Sequence, residues 1–459
     1  MSESDGIVRE RTSNSRKILF GSPRLGTSIV LGIEGWALFT LYTSGYRLPP
    51  FQAGFIICMG YLTIALSQFL FGWLSDAKYT RWGRRKPYII IFSPILGLAI
   101  IFLLLPGVMI DLNDKKILFT WMLVWEVLFR FSYSVTTPYQ AWMAEEFPVE
   151  ERPKVSQFQN TFNYLGNGIM ALFSLIVLTS YIDDLKEAFE STTDLNISIP
   201  LTAGIPIIIF GIMTIILFYI IAFKMPTEPH YKIKSNLLEN LKTIVKNKNF
   251  MLIVFMVGIS GLGWSMITTA MLKYLEDALN LGLMDYIITA VALLLTIFIF
   301  LYLWRRTIQK IGKKRALLYV FILAVIFLPI TLFGFLEMGS YLILGIVFIV
   351  GIGAILGGWY LFPYIVYADV AEDDEKSTGE LKAGIYSGFP SIILNLFQAG
   401  GAFFIGTILS LPELTRDGAE PYSFSIGLLI FGPIVSVILL ISYFYTRKYV
   451  QLDFEWEKK

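Results

Sequence analysis

Apolar residues in this chain gather in unbroken runs of about 20, longer than the core helices of soluble domains and matched to the thickness of a bilayer. Twelve runs stand out, at residues 25–46, 52–74, 87–109, 117–143, 157–181, 202–224, 250–272, 284–304, 315–337, 341–367, 384–410 and 423–446. Each predicts one spanning helix, so the fold expected is an all-α membrane protein with twelve transmembrane helices and both termini on one side. The longest polar connection on that side divides the helices six and six. This gives a tail at 1–24, a six-helix bundle at 25–224, a linker at 225–249, a second six-helix bundle at 250–446 and a tail at 447–459.

Composition supports this pattern. Residues of the AVILMFWYC set make up 55% of the 459 and DEKR only 16%, against a usual ~25% charged, and mean hydropathy is +0.65. The 37 Lys and Arg against 35 Asp and Glu leave no basic excess to neutralise phosphates, which argues against a nucleic-acid partner. The lipid bilayer is the partner expected instead. Thirty of the 37 basic residues fall on the side of the termini, six (Arg47, Lys115, Lys116, Lys186, Lys273 and Arg416) fall on the other, and Arg130 lies inside a run. That bias predicts cytoplasmic tails in a multi-pass protein of the plasma membrane. The polar N-terminus lacks an apolar core followed by a small-residue cleavage site and reads as a tail rather than a signal peptide. With one cysteine (Cys58) and one histidine (His230), the chain offers no intramolecular disulfide and no metal or haem site, and no cofactor is expected.

Two connections repeat a pattern: GWLSDAKYTRWGRRKPY between runs 2 and 3, and LWRRTIQKIGKKRAL between runs 8 and 9. Each sets a glycine, Gly83 or Gly312, in a basic cluster. This predicts a tight reversal with cations at headgroup level in both halves, as duplicated bundles would have.

The segment 71–89, FGWLSDAKYTRWGRRKPYI, resembles the helix 2–3 motif of the major facilitator superfamily, in the form of the sucrose transporters and the glycoside-pentoside-hexuronide:cation symporters. GIEGWALFTLYT at 32–43 is similar to the first helix of the sucrose branch. TPYQAWMAEEFPVEERPKVSQFQNTFNYLGN at 137–167 resembles the helix 4–5 region of both, and DVAEDDEKSTGELKAGIYSG at 369–388 the helix 10–11 loop of the glycoside branch. The resemblance implies a major facilitator fold that moves a glycoside or disaccharide with a cation. It implies a gating motif in which Asp76, Gly83, Arg84, Arg85 and Lys86 make contacts in one state and release them in another, with Asp373 and Asp374 of the acidic loop pairing against basic loops. The glycoside branch carries two helix 2 aspartates for its cation, but the stretch Ile64 to Gln68 has none, which disfavours sodium. The lysine of its helix 11 falls near Asn395, and its helix 4 carboxylate near Thr136.

Charge inside a membrane is expensive, so each charged residue there is a functional candidate. Three lie in mid-run. Glu126 and Arg130 are four apart on one helix face, acid first. Glu34, flanked by Gly32, Gly35 and Trp36, has no partner in its own helix, and desolvation favours its protonated form, as a proton carrier requires. Sugar recognition needs amides or carboxylates for hydroxyls and an aromatic face for the ring. Gln157, Asn160, Asn163, Tyr164 and Asn167 recur at helical spacing, and Trp36 adds an aromatic. In the second half, glycine-dense runs precede Trp264 and Trp359, and Asn395 and Gln398 share one helix face.

The function expected is alternating-access transport of a sugar with a co-transported proton, coupled through Glu34, Glu126 and Arg130, for which a monomer suffices. An uncoupled uniporter, a lysolipid or amphiphile porter and a transporter-like sensor are the alternatives. An enzyme is disfavoured, because no nucleophile–base set or metal spacing occurs on an inner or outer face.

Overall fold

The computed structural model describes residues 12–77, 79–148, 151–191, 201–227, 245–359, 361–362, 366–367, 370, 373, 383–416 and 421–452, with main chain only at 76–77, 144, 153 and 383–388. His230, Asp374 and most of the expected linker lie outside the described residues.

The first crossing is a broken helix. α1 (Asn14–Gly21) begins where the Ser13 hydroxyl accepts from the Arg16 N–H, and after Ser22 the chain continues as α2 (Pro23–Thr40), with proline in its first turn. The helix therefore starts at Asn14 rather than at 25. Ion pairs from Arg16 to Glu146 (2.9 Å) and from Lys17 to Glu151 (3.2 Å) hold this polar extension against the protein. Desolvation pushes the Glu151 carboxyl up. The Thr12 side chain and main chain and the Lys17 ammonium outweigh this and hold it below the usual carboxylate range, so the docking contact weakens on acidification through that lowered pKa.

α3 (Pro50–Ala77), α4 (Lys86–Leu104), α5 (Lys115–Tyr133), α6 (Thr136–Glu146), α7 (Arg152–Leu172), α8 (Thr179–Glu190) and α9 (Leu201–Lys224) complete the first half. In the second half follow α10 (Lys248–Lys273), α11 (Leu283–Ile311), α12 (Lys313–Phe327), α13 (Leu342–Trp359), α14 (Ala383–Ile408) and α15 (Gly427–Tyr449). A small antiparallel hairpin, β1 (Glu413–Arg416) and β2 (Tyr422–Ser425), precedes α15 and sets Glu413 opposite Ser425. Among the described residues, eleven helical stretches are long and apolar enough to span a bilayer. α5 is long enough but carries Lys115, Lys116, Glu126 and Arg130, and this charge separates it from the rest.

Three π-helical turns interrupt or end crossings: Leu41–Gly45 after α2, Phe173–Leu178 between α7 and α8, and Tyr274–Ala278 after α10. Such turns mark functional positions more often than regular helix does. In the first half α2 packs on α7 and α9, and α4 on α5 and α9; in the second, α10 packs on α14 and α15, and α11 on α13. Between halves, α3 lies along α14, α2 along α10, and α11 against α7 and the π turn after it. Lipid supplies little hydrophobic drive between helices, so close backbone contact has to hold them. At one end of α3 and α14 it does: a Cβ on Gly54 would lie 2.7 Å from the Gly406 Cα and from the Ala402 carbonyl.

The start of α2 and the end of α15 lie at one end of the molecule, because Asn249, at the start of α10, donates to the Gln451 carbonyl after α15, while α2 lies along α10 and their far ends meet through Ser44 and Asp277. That end is called the terminal end below, and the opposite one the far end. The two glycines expected to reverse the chain at the terminal end both do so, with φ of 94° at Gly83 and 85° at Gly312. Left-handed backbone of this kind suits glycine alone without penalty. Gly83→Ala is expected to destabilise the protein by about 1–2 kcal/mol and Gly83→Asn by less, read as a lowered unfolding midpoint in detergent.

Candidate functional site

The three charges expected inside the membrane meet in one cluster. α2 presents Glu34, α5 presents Glu126 and Arg130 one turn apart, and all three are buried. The Arg130 Nη2 donates to Glu34 Oε1 at 2.5 Å and its Nε to Glu126 Oε1 at 3.1 Å. Glu34 therefore has a partner, supplied by another helix. The guanidinium also lies over the Tyr61 ring of α3, 4.1 Å from its centroid. Glycine at position 60 leaves room for the Glu126 carboxylate, which occupies the place a Cβ would take. Glu34 Oε2 and Glu126 Oε2 are buried and make no hydrogen bond. The cluster thus sets two carboxylates against one guanidinium, with one oxygen of each acid unsatisfied.

Beside it, a Cβ on Gly35 would meet no atom within 4 Å, so α2 opens onto free space there. Trp36, one residue further, is buried. On α7 the expected polar stripe divides. Asn163 turns to α2 and accepts from the Ser28 hydroxyl at 2.6 Å, whereas Gln157, Asn160, Tyr164 and Asn167 are exposed. The exposed apolar residues Leu165, Ile169 and Leu172 lie on a different face of the same helix. A helix with one apolar and one polar exposed face sets the first against lipid and the second against water.

In the second half, Trp264 of α10 and Trp359 of α13 pack with ring centroids 5.7 Å apart at 30°. Both are buried, and the Trp264 Nε1 finds no acceptor. On α14, Asn395 is buried and Gln398 half-buried; the Gln398 carbonyl accepts from the Ser265 hydroxyl of α10. Among the described residues no three His, Cys, Asp or Glu side chains come together as metal ligands would.

At the terminal end, the Gly83 turn points two arginines at one acid. Arg84 Nη2 and Arg85 Nη2 lie 2.7 and 2.6 Å from Glu145 Oε1 at the end of α6, and Arg85 Nη1 donates to the Ser75 hydroxyl at 2.5 Å. Lys86 donates to the Met225 carbonyl after α9 and lies over the Trp142 ring. The motif cations thus brace α3, α6 and α9. The Asp76 side chain lies outside the described residues, and Asp373 is half-buried.

The far end holds a second charged cluster, whose lysines read as loop charges from sequence. Lys186 of α8 pairs with Glu276 at 2.5 Å, and Tyr286 of α11 donates to the other Glu276 oxygen at 2.5 Å. Lys273 donates to Asp277 at 2.5 Å and to the Ser44 hydroxyl at 2.7 Å, and Ser44 donates to Asp277 at 2.9 Å. KYLED at 273–277 was the available signal. In a regular helix its two acids lie about 100° apart, and the widened π turn lets both enter the contact between halves.

Helices long and apolar enough to cross a membrane, with buried charges paired between them and a polar exposed face on α7, fit a transporter rather than an enzyme. The chain belongs to the MFS/sugar transport protein family, whose model matches residues 19–449, and so to the major facilitator superfamily of multi-pass membrane transporters. An uncharacterized symporter of Synechocystis sp. is 21% identical over 91% of this chain and 89% of its own length. A mutant of the nucleoside transporter NupG shares the fold with a TM-score of 0.65 at 11% identity, over 95% of this chain and 100% of that one. A D-xylose-proton symporter does so with a TM-score of 0.61 at 12% identity, over 95% and 96%.

Proposed function

We propose that this transporter carries a neutral sugar, a glycoside or disaccharide, by alternating access and in symport with a proton, across the plasma membrane with its terminal end in the cytoplasm. The observation that carries the coupling is the charge balance of Glu34, Glu126 and Arg130. With both acids ionised the buried cluster bears a net negative charge, whose desolvation costs several kcal/mol. With one proton shared between the acids it is neutral, and the two unsatisfied oxygens are where that proton finds its place. A site that is neutral with one proton and charged without it is what a proton-coupled carrier needs.

Neutrality of the cargo rests on the second half. Residues 249–272, 286–304, 342–359 and 383–408 contain no Asp, Glu, Lys or Arg, while Trp264, Trp359, Asn395 and Gln398 supply aromatic faces and amides. Gln157, Asn160, Tyr164, Asn167 and Trp36 would supply the first half's share, with Asn163 a support for α2. Such a set suits a polyhydroxylated ring, and coupled transport accords with the Synechocystis relative being named a symporter and a structural neighbour a D-xylose-proton symporter. Arg84, Arg85 and Lys86, with Asp76, Asp373 and Asp374, would gate the cytoplasmic end, from bundles spanning 25–224 and 250–446.

The test is uptake of a radiolabelled panel of disaccharides and glycosides into proteoliposomes, with and without an inward proton gradient. Gradient-driven accumulation of one sugar is expected. Equilibration without accumulation would make the protein a uniporter, and lysolipid uptake with no sugar uptake would make it an amphiphile porter.

A further inference from the structure

The far ends of α2 and α10 are built alike, although their sequences, LYTSGYRL at 41–48 and YLEDALNL at 274–281, share little. Both leave the α-helix through a π turn, Leu41–Gly45 and Tyr274–Ala278. In the first, the Tyr46 N–H donates to the Leu41 carbonyl and the Leu48 N–H to that of Tyr42. In the second, Leu279 donates to Tyr274 and Leu281 to Leu275. The residue before the last is left-handed in each, Arg47 at φ 55° and Asn280 at φ 47°. The two segments therefore correspond position by position, and Ser44 corresponds to Asp277. These two side chains are hydrogen-bonded to each other. Contact between corresponding positions is what a two-fold relation between the halves produces on its axis, so the halves meet on that axis at the far end.

Around that contact the sequences are complementary rather than alike. The first half brings Ser44 and Lys186; the second brings Lys273, Glu276, Asp277 and Tyr286. Two ammonium groups balance two carboxylates, Lys186 lies 3.7 Å from Asp277 as well, and Glu276 is 3% exposed. Asp183, at the edge of the group, lies 3.6 Å from Lys186. Nearby, Gly54 and Gly406 bring α3 and α14 into backbone contact.

We infer that Ser44, Lys186, Lys273, Glu276, Asp277 and Tyr286 form an ion-paired gate that holds the far end shut in this state, and that opening to that side breaks the Lys186–Glu276 and Ser44–Asp277 contacts between the halves. This rests on the transporter class alone and not on the identity of sugar or cation. The neutral, fully paired group closes tightly yet leaves each half with polar groups that water can satisfy once they part. Removing one partner tilts the balance toward the state open at the far end.

The test uses the full chain with Cys58→Ser and Gly35→Cys, so that the only thiol lines the free space beside α2, in vesicles with the far end outward. A membrane-impermeant maleimide is added outside. Labelling is expected to be at least about tenfold faster in Lys186→Met and in Glu276→Gln than in the starting protein. Separately, in the Cys58→Ser chain, oxidative cross-linking of Ser44→Cys with Asp277→Cys is expected to stop transport, and reductant to restore it. Unchanged labelling in Lys186→Met, or transport at the uncross-linked rate after cross-linking, would overturn the gate. The labelling arm needs no substrate, so its failure is distinguishable from failure of the sugar reading.

Discussion

Arg130→Met is expected to abolish transport and to cost about 3–5 kcal/mol of stability, the penalty for stripping one partner from a buried ion pair. The guanidinium is the only cation the structure sets against the Glu34 and Glu126 carboxylates among the described residues, reaching one through Nη2 and the other through Nε. Without it, both acids must be protonated for the cluster to be neutral, and ionising either leaves a buried carboxylate with no guanidinium beside it. The same change removes the cation above the Tyr61 ring, an interaction of about 2 kcal/mol where it is desolvated. Arg130→Lys keeps the charge but not the planar fork that bridges two acids on different helices, so it is expected to keep the fold and lose most of the activity. Unfolding midpoints in detergent and initial uptake rates check both. An Arg130→Met protein as stable and as active as the parent would mean that the cluster is dispensable.

The second large effect separates coupling from transport. Glu34→Gln makes one acid permanently neutral, leaving Glu126 and Arg130 as a balanced pair with no proton to gain or release. Exchange of sugar across the membrane is expected to continue within about threefold of the parent rate, while accumulation against a gradient disappears. Glu126→Gln should do the same if the proton belongs to the pair. Should only one of the two variants lose accumulation, that residue alone carries the proton.

The parts of this account legible in sequence were those that depend on a single segment. Apolar runs of bilayer length located most of the helices, tight reversals at Gly83 and Gly312 followed from their setting in the two basic loops, and the cost of intramembrane charge singled out Glu34, Glu126 and Arg130. The pairing of Glu34 with Arg130 was not legible, because it depends on how α2 is rotated against α5. For the same reason Asn163 looked equivalent to Asn160 and Asn167, although it faces Ser28 while the others are exposed. Tyr61 carries no mark in sequence that distinguishes it from the chain's other tyrosines. The far-end group was hidden by position: Lys186 and Lys273 stand near helix ends, where positive charge ordinarily reads as solvated, and only the π turn after α10 and the packing of α8 make them partners of Glu276 and Asp277. The early start of the first helix depends on Glu146 and Glu151, more than a hundred residues away.

Symport of sugar with a proton is the central proposal, and the most direct measurement of it is proton flux in de-energised proteoliposomes. A disaccharide that the protein transports is added outside at equal inner and outer pH, and the external pH is followed in weakly buffered medium. The account predicts alkalinisation of the medium in step with sugar entry, collapsed by a protonophore and absent in Glu34→Gln. Sugar entry at an undiminished rate with no change in external pH would contradict it.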